Sequence, residues 1–303
     1  MTAHDLYSRE TTRELTPLDA DFPSRLRDIP GCPRTLYVRG TLPDARMPTA
    51  AIIGARDATA QGLDLARTLG AVLARNGIGI VSGMAYGIDA AGHWGALDSG
   101  GKTFAVFGCG TDICYPPSHF RLYEEILRSN GGLLSELSPG TPPLGRHFAS
   151  RNRIISGLSD VVIVVEAKLR SGTLITVGNA LEQGKQVFAV PGRVTDRLSE
   201  GCNRLIRDGA SILTSAQDIL EYFHLERERE QRVLLPSSES LPETQRCVLE
   251  QLSSEAVHIE QLAAHTDLPA PLLSRTLLEL ELQGLCESPK PGYYRRRLTE
   301  EMF

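Results

Sequence analysis

Five segments of the 303-residue chain combine residue types that can do chemistry. The first is IIGARDATAQG, residues 52–62. A glycine directly after an apolar strand lets the chain turn sharply and brings backbone amides towards a ligand. A helix opening near Ala60 or Gln61 points its positive end at the same place, and together they make an anion site. Arg56 in that turn can close on a phosphate with two hydrogen bonds. Gly54, Ala55 and Arg56 are therefore candidate contacts. A turn that uses Gly54 only for steric reasons, with Arg56 in a salt bridge, fits the same spacing.

The second segment, VSGMAYGIDAA, repeats the pattern: Ser82 can donate a hydrogen bond, Gly83 and Gly87 allow close backbone approach, and Asp89 is placed to cap a helix. The third, GCGTDICYPPSH, puts the rigid Tyr115-Pro116-Pro117 loop after another strand; His119 at a helix start receives no role. The fourth, LGRHFASRNRIISGLS, holds Arg146, His147, Phe148, Arg151 and Arg153 with no acidic residue. An aromatic between arginines suits a single strand of nucleic acid, with charge for the backbone and a ring for the bases. Phe148 in the core with the arginines in ion pairs is the alternative. In the fifth, Ser171-Gly172-Thr173 opens a helix rich in small residues, a third helix N-terminus at the same edge. Glu166, just before it, is a candidate acid or base, yet no second carboxylate, Cys–His pair or metal set is spaced to work with it. No catalytic or metal-binding residue is assigned, and no cofactor is implied.

These turns must be held by alternating strands and helices. Strands are predicted at residues 50–53, 78–81, 104–107, 133–135, 161–165, 187–190 and 211–213, with helices starting near Gln61, Asp89, Phe120, Ala149, Thr173 and Asn203. A run such as VVIVV at 161–165 is apolar on both faces and belongs inside a parallel sheet. The predicted fold is α/β: a Rossmann-like, doubly wound, mostly parallel sheet that binds ligands at the C-terminal strand ends. It occupies residues 49–224. Residues 1–48 read as a lead-in arm with a strand at Leu36–Val38. Residues 225–242, charged and then Pro/Ser-rich, read as a linker, or in their charged part as an extension of the preceding helix. Residues 243–303 read as three short helices and a hairpin around Pro289–Gly292, a small winged helix-turn-helix domain.

Composition narrows the classes. Hydrophobic residues at 41% and charged residues at 23% fit a packed core rather than disorder. No apolar run approaches the roughly 18 residues of a membrane span, and the N-terminus lacks a signal-peptide pattern. Six scattered cysteines, none in CxxC spacing, suggest neither a zinc site nor a disulfide framework and fit reduced thiols in a cytoplasm. A net charge of −5 gives nucleic acid no general attraction, so a nucleic-acid binder of this composition must concentrate its positive charge locally. Lysine occurs only at 102, 168, 185 and 290; the other basic residues are arginines.

Taken in order from about Leu18 to Ala216, the segments IIGARDATAQG, VSGMAYGIDAAGH, FAVFGCGTDICYPPSH, RNRIISGLSDVVIVVEA, SGTLITVGNALEQGKQVFAVPG and GCNRLIRDGA resemble the DNA-processing protein A family (DprA, also called Smf). The resemblance implies sequence-independent binding of single-stranded DNA without catalysis, protection of incoming strands during natural transformation, loading of the RecA recombinase, and a homodimer. The family's glycine-serine-arginine turn corresponds to Gly54, Ala55 and Arg56, with alanine in place of the serine hydroxyl. Arg146 and Phe148 fit the basic and aromatic places before the RNR motif. The lysine common in the family near Gly145 is missing, and Arg146 stands one position away. Arg121 is the best match for a basic residue after the YP loop. The implied single-stranded DNA contacts are Gly54, Ala55, Arg56, Ser82, Gly83, Arg121, Arg146, Phe148, Arg151, Ser171, Gly172 and Thr173. Many members carry a longer N-terminal module of the sterile-alpha-motif type, and this chain begins too late to hold one. In the winged helix, Glu279 and Glu281 face Arg275 on a helix that should be more basic to read a major groove, while Tyr293 to Arg297 could touch phosphates.

Two other readings use the same glycine-rich turns. Nucleotide phosphoribohydrolases carry a PGGxGTxxE signature; here SGTLIT places Thr176 where their glutamate would stand. A winged-helix regulator sensing a small ligand would instead bind duplex DNA by sequence.

Overall fold

A computed structural model describes residues 12–225, 241–253 and 255–297. The expected linker and helix extension fall largely on 226–240, outside the described residues, as do the first eleven residues of the arm and the last six of the chain. The chain divides into two units close to residue 226.

The first unit is built on a nine-stranded sheet. Its strands are β1 (Arg13–Leu15), β2 (Leu36–Gly40), β3 (Thr49–Ile53), β4 (Gly79–Ser82), β5 (Thr103–Val106), β6 (Gly132–Ser135), β7 (Val161–Val164), β8 (Gln186–Ala189) and β9 (Ser211–Ile212). The order is β1-β2-β6-β5-β4-β3-β7-β8-β9. From β6 to β9 all neighbours are parallel, and β2 joins β6 antiparallel with β1 antiparallel beyond it. The arm thus supplies the two strands at one side of the sheet, with β1 at its edge. Between β3 and β7 the strand order reverses direction, which opens a crevice at their C-terminal ends.

Both faces of the central strands are apolar, as the unbroken Val/Ile runs predict. Alternate residues separate cleanly. Ala51, Ile53, Val162 and Val164 enter one core with Leu26, Ile154, Leu158 and Val177. Ala50, Ile52, Val161 and Ile163 enter the opposite one with Leu69, Val72 and Leu73. The helices that cover them are α1 (Ser24–Arg27), α2 (Ala60–Arg75), α3 (Ile88–Asp98), α4 (Phe120–Arg128), α5 (Gly145–Leu158), α6 (Gly172–Glu182), α7 (Glu200–Arg207) and α8 (Gln217–Tyr222). β1, α1 and α8 are elements that the sequence reading omits: the first two span three and four residues, too short for a periodic signal.

The second unit packs α9 (Glu243–Gln251), α10 (Ile259–Thr266) and α11 (Ala270–Leu282) against a three-stranded sheet. In that sheet β12 (Tyr293–Arg296) lies between β10 (Val257–His258) and β11 (Cys286–Lys290). Val248, Leu249, Leu262, Leu273, Leu277 and Leu280 meet in its core. Three helices and a hairpin wing match the winged-helix prediction.

Candidate nucleic-acid interface

The loops that leave β3, β4 and β7, together with α5, line one cleft of about 480 Å³ at the crevice between β3 and β7. Residues 53–57, Phe148, Arg151, Asn152, Lys168 and Ser171–Thr173 contribute to its wall. The sheet edge is where the sequence places the ligand, and the switch of strand order explains why the cleft opens between these two strands.

The turn at Gly54-Ala55-Arg56 is clamped at both ends. Thr173 Oγ1 donates to the Gly54 carbonyl at 3.1 Å, and the Ile88 amide donates to the Ala55 carbonyl at 3.2 Å. A Cβ on Gly54 would lie 2.6 Å from Ile88 Cγ1, so the glycine here permits α3 to approach. At the far end Glu166 fixes the loop. Its carboxylate accepts the Thr59 amide at 2.9 Å and the Thr59 hydroxyl at 2.5 Å. Thr59 in turn caps α2 by accepting the Gly62 amide at 2.9 Å. Gly62 is what lets the carboxylate in: a Cβ there would stand 2.5 Å from Glu166 Cδ.

This corrects one expectation. The positive end of α2 is not open to a ligand, because the chain's own Glu166 carboxylate occupies it. The same contacts give Glu166 a capping task in place of the acid or base role considered for it. Two helix ends at the cleft lack a side-chain cap, that of α5 at Gly145 and that of α6. The N-cap of α6, Ser171, makes no side-chain cap hydrogen bond, and its hydroxyl is buried without a partner among the described residues. Gly172 beside it is exposed, and Lys168 and Arg56 stand exposed on the same wall. Lys168 escaped the sequence reading; a basic residue three positions before the Ser-Gly-Thr turn was the available signal.

α5 begins at Gly145, four residues before the predicted start, and this decides where its side chains point. Residues 145, 148, 152 and 155 form one face, and that face lines the cleft. Arg146 lies about 200° around the helix from Phe148; it is exposed but outside the cleft wall. Phe148 is half-buried rather than in the core. Its ring lies 5.3 Å from that of Tyr115, and the guanidinium carbons of Arg56 and Arg151 each sit 6.0 Å from its centroid. An aromatic ring with two cations near it and a second exposed ring beside it is a platform for a flat, electron-rich partner.

Arg151 differs from the surface arginine that its motif suggests. It is only 4% exposed. Its Nη1 donates to the Gly83 carbonyl at 3.0 Å and also to the Val106 carbonyl, so it ties β4 and β5 to α5. Burial pushes its pKa down to about 10, with Asp89 opposing and Arg56 adding to that fall, so it stays charged at neutral pH. Asp89 does not cap α3 as predicted; the N-cap is Gly87. Its carboxylate accepts the Gly83 and Ala85 amides at 3.1 and 3.4 Å. Burial raises the Asp89 pKa, and Arg151 and these amides oppose the rise.

Three other predicted contacts also lie elsewhere. Ser82 is fully buried and donates to the Ile52 carbonyl at 2.7 Å. Both polar groups of Gly83 are committed, its amide to Asp89 and its carbonyl to Arg151. The pleat turns these residues into the sheet rather than out of its end. Arg121, exposed on α4, lies over the Trp94 ring at 5.6 Å and is not part of the cleft wall.

Arg153 is a structural anchor. It holds Glu136 through two hydrogen bonds of 2.8 and 2.6 Å, and the Gly31 carbonyl at 2.8 Å. Burial raises the Glu136 pKa, but the hydrogen bonds and charge of Arg153 outweigh it, leaving the carboxyl below its usual value. A folded-state pKa below the unfolded one gives stability that is present above the ordinary carboxylate range and lost as pH falls through the folded value. Glu136→Gln is expected to cost about 1.5–3 kcal/mol at neutral pH. In urea titrations the gap to wild type should close below about pH 4.5, the ordinary value of the group. A gap that persists unchanged at pH 3 would contradict this account.

The family described as DNA recombination-mediator protein A matches residues 13–224, and the DprA winged helix domain matches residues 234–290. The DNA processing protein DprA of Streptococcus pneumoniae is 45% identical over 208 residues, covering 68% of this chain and 72% of that protein. Protein Smf of Escherichia coli is 36% identical over 294 residues, covering 95% of this chain and 79% of its own length. The solved structure of DNA processing protein A from Helicobacter pylori, described for its unique single-stranded DNA binding mode, superposes with a TM-score of 0.63 at 31% identity. It covers 72% of this chain and 97% of that one. The matched span holds every element of the cleft, and the chain belongs to the DprA family of DNA recombination-mediator proteins.

Proposed function

We propose that this protein binds single-stranded DNA, without sequence preference, in the cleft between β3 and β7, and that it does so as a binding protein rather than an enzyme. The observation that carries the reading is the content of the cleft: the uncapped N-terminus of α6, two exposed cations at Arg56 and Lys168, and the Phe148 ring with two guanidinium groups 6.0 Å from its centroid. The first two suit a phosphate and the third a base, and none of them reads a base edge. In the proposed contact set Gly54, Ala55, Gly172 and Thr173 offer backbone amides, Ser171 its hydroxyl, and Arg56 and Lys168 their charge. Ser82, Gly83 and Arg151 shape the site from beneath. Arg121 and Arg146 are candidates for a strand that continues beyond the cleft.

The single-stranded DNA binding described for the Helicobacter pylori relative supports this reading. Membership of a recombination-mediator family supports its finer part: the bound strand is protected during natural transformation and passed to the RecA recombinase by a homodimer in the cytoplasm. Among the described residues no helix is long and apolar enough to cross a membrane.

Fluorescence anisotropy with labelled oligo-dT across a salt series tests the site. Arg56→Ala is expected to weaken binding and to flatten the slope of log K against log salt by roughly 0.7, the value of one single-strand phosphate contact. A variant that keeps both the affinity and the slope of wild type would place the pocket elsewhere. A duplex of random sequence should bind more weakly than the single strand.

A further inference from the structure

In a winged helix the third helix is the one that enters a major groove. Here that helix, α11, exposes a face unsuited to phosphate. Leu278 is 56% exposed and Leu282 is 80% exposed. Glu279 accepts from Arg275 Nε at 2.8 Å and from Gln245 at 2.9 Å, so the one arginine of the helix is balanced by a carboxylate of its own turn while its side chain stays 76% exposed. Glu281 is exposed and has no ion-pair partner among the described residues. The helix therefore offers leucine and carboxylate where a DNA reader offers arginine and amide.

The exposed positions are ordered. Ser274, Arg275, Glu281 and Leu282 each lie three or four residues from Leu278, so the five share one stripe along α11. Leu273, Leu277 and Leu280 are buried on the other side, in the core of the unit. A stripe of this spacing is what one helix offers another in antiparallel packing. The charges on it are self-complementary. Arg275 and Glu281 lie three residues either side of Leu278, so a two-fold axis at Leu278 sets Arg275 of each copy opposite Glu281 of the other. The same axis puts Leu278 against Leu278 and Leu282 against Ser274.

We propose that α11 is a self-association surface, seating α11 of a second copy of this chain antiparallel about Leu278. The occupant follows from the charge pattern: an isologous contact must be complementary to itself under a two-fold, and this stripe is. The 13 residues of α11 make a rod of about 20 Å, so the pairing buries less than the about 1,000 Å² of a stable interface. It is weak in dilute solution and takes effect when copies are already held close, where the second contact forms at high effective concentration.

The test uses the full chain, first without DNA and then with duplex DNA added. Leu278→Cys should cross-link chain to chain under mild oxidation at least tenfold faster than Ala264→Cys, an exposed position on α10, with wild type as the background for the native cysteines. Arg275→Glu or Glu281→Arg, each added to Leu278→Cys, should slow the cross-link; both together should restore it, which loss of folding could not do. Equal rates at 278 and 264, or a double reversal no faster than the single ones, would overturn the proposal. If duplex DNA protects position 278 from cross-linking while charge reversal has no effect, the helix is a groove reader and the proposal is wrong.

Discussion

Arg151→Met is expected to cost about 3–5 kcal/mol of stability and to abolish single-strand binding with it. The side chain keeps its volume in this variant, so the loss reports hydrogen bonds and charge rather than a cavity. Two things are left behind. The Gly83 and Val106 carbonyls lose their donor inside the sheet, and each unsatisfied group costs about 1–3 kcal/mol. Asp89 loses the cation that opposes its burial. Its carboxyl then takes up a proton more readily, so the variant should be relatively better at acid pH than at neutral pH. Asp89→Asn in the same chain should recover part of the loss, because the amide carries no charge to bury. Urea unfolding of the four proteins of this cycle measures the coupling. A single-variant loss below about 1 kcal/mol would show that the buried guanidinium is not what joins α5 to β4 and β5.

Phe148→Ala is expected to weaken oligo-dT binding by roughly 1–3 kcal/mol, the cost of one base–aromatic stack. The half-buried ring sits outside the apolar cores, so this variant should unfold close to wild type. Phe148→Leu separates stacking from packing. Leucine fills the space over Gly108, which the ring edge reaches within 2.8 Å of an added Cβ. It has no π-face, so it should bind as poorly as alanine. Arg56 adds a further prediction about additivity. Its guanidinium carbon is 6.0 Å from the ring centroid, so the ring and the cation orient each other. Arg56→Ala and Phe148→Ala together should therefore cost less than the sum of the two separately. Binding of Phe148→Leu equal to wild type would remove the stacking role and leave the ring as a spacer.

The two expected losses differ in kind because their residues differ in depth. Arg151 and Phe148 are three residues apart on α5 and both border the cleft. One acts through the sheet below it and the other on the ligand above it. The motif containing them mixes a foundation with a contact, and stability against affinity is the measurement that separates them.

Much of this was legible in the order of residues. Unbroken Val/Ile runs marked strands buried on both faces, and their alternation with amphipathic helices pointed to a parallel sheet. Glycine-rich turns after β3 and β4, and the Ser-Gly-Thr turn opening α6, marked one edge of that sheet. The winged helix followed from three short periodic helices and a Pro-Gly turn. Local periodicity is enough for these features, since each depends on residues close together in the chain.

The tertiary structure decided which anion site is open. At the Gly54-Ala55-Arg56 turn the sequence shows a glycine, an arginine and a helix start, and it cannot show that Glu166, 107 residues from Thr59, already fills the end of α2. That contact exists because β3 and β7 are neighbours, a pairing that no local pattern encodes. The same adjacency leaves α6 open and brings Lys168 and Arg56 to one cleft wall. Burial made the other decision. Arg146 and Arg151 belong to one basic run, yet the helix turns the first outward and the second beneath the cleft, because about 100° per residue sets the direction of each side chain once the start of α5 is fixed.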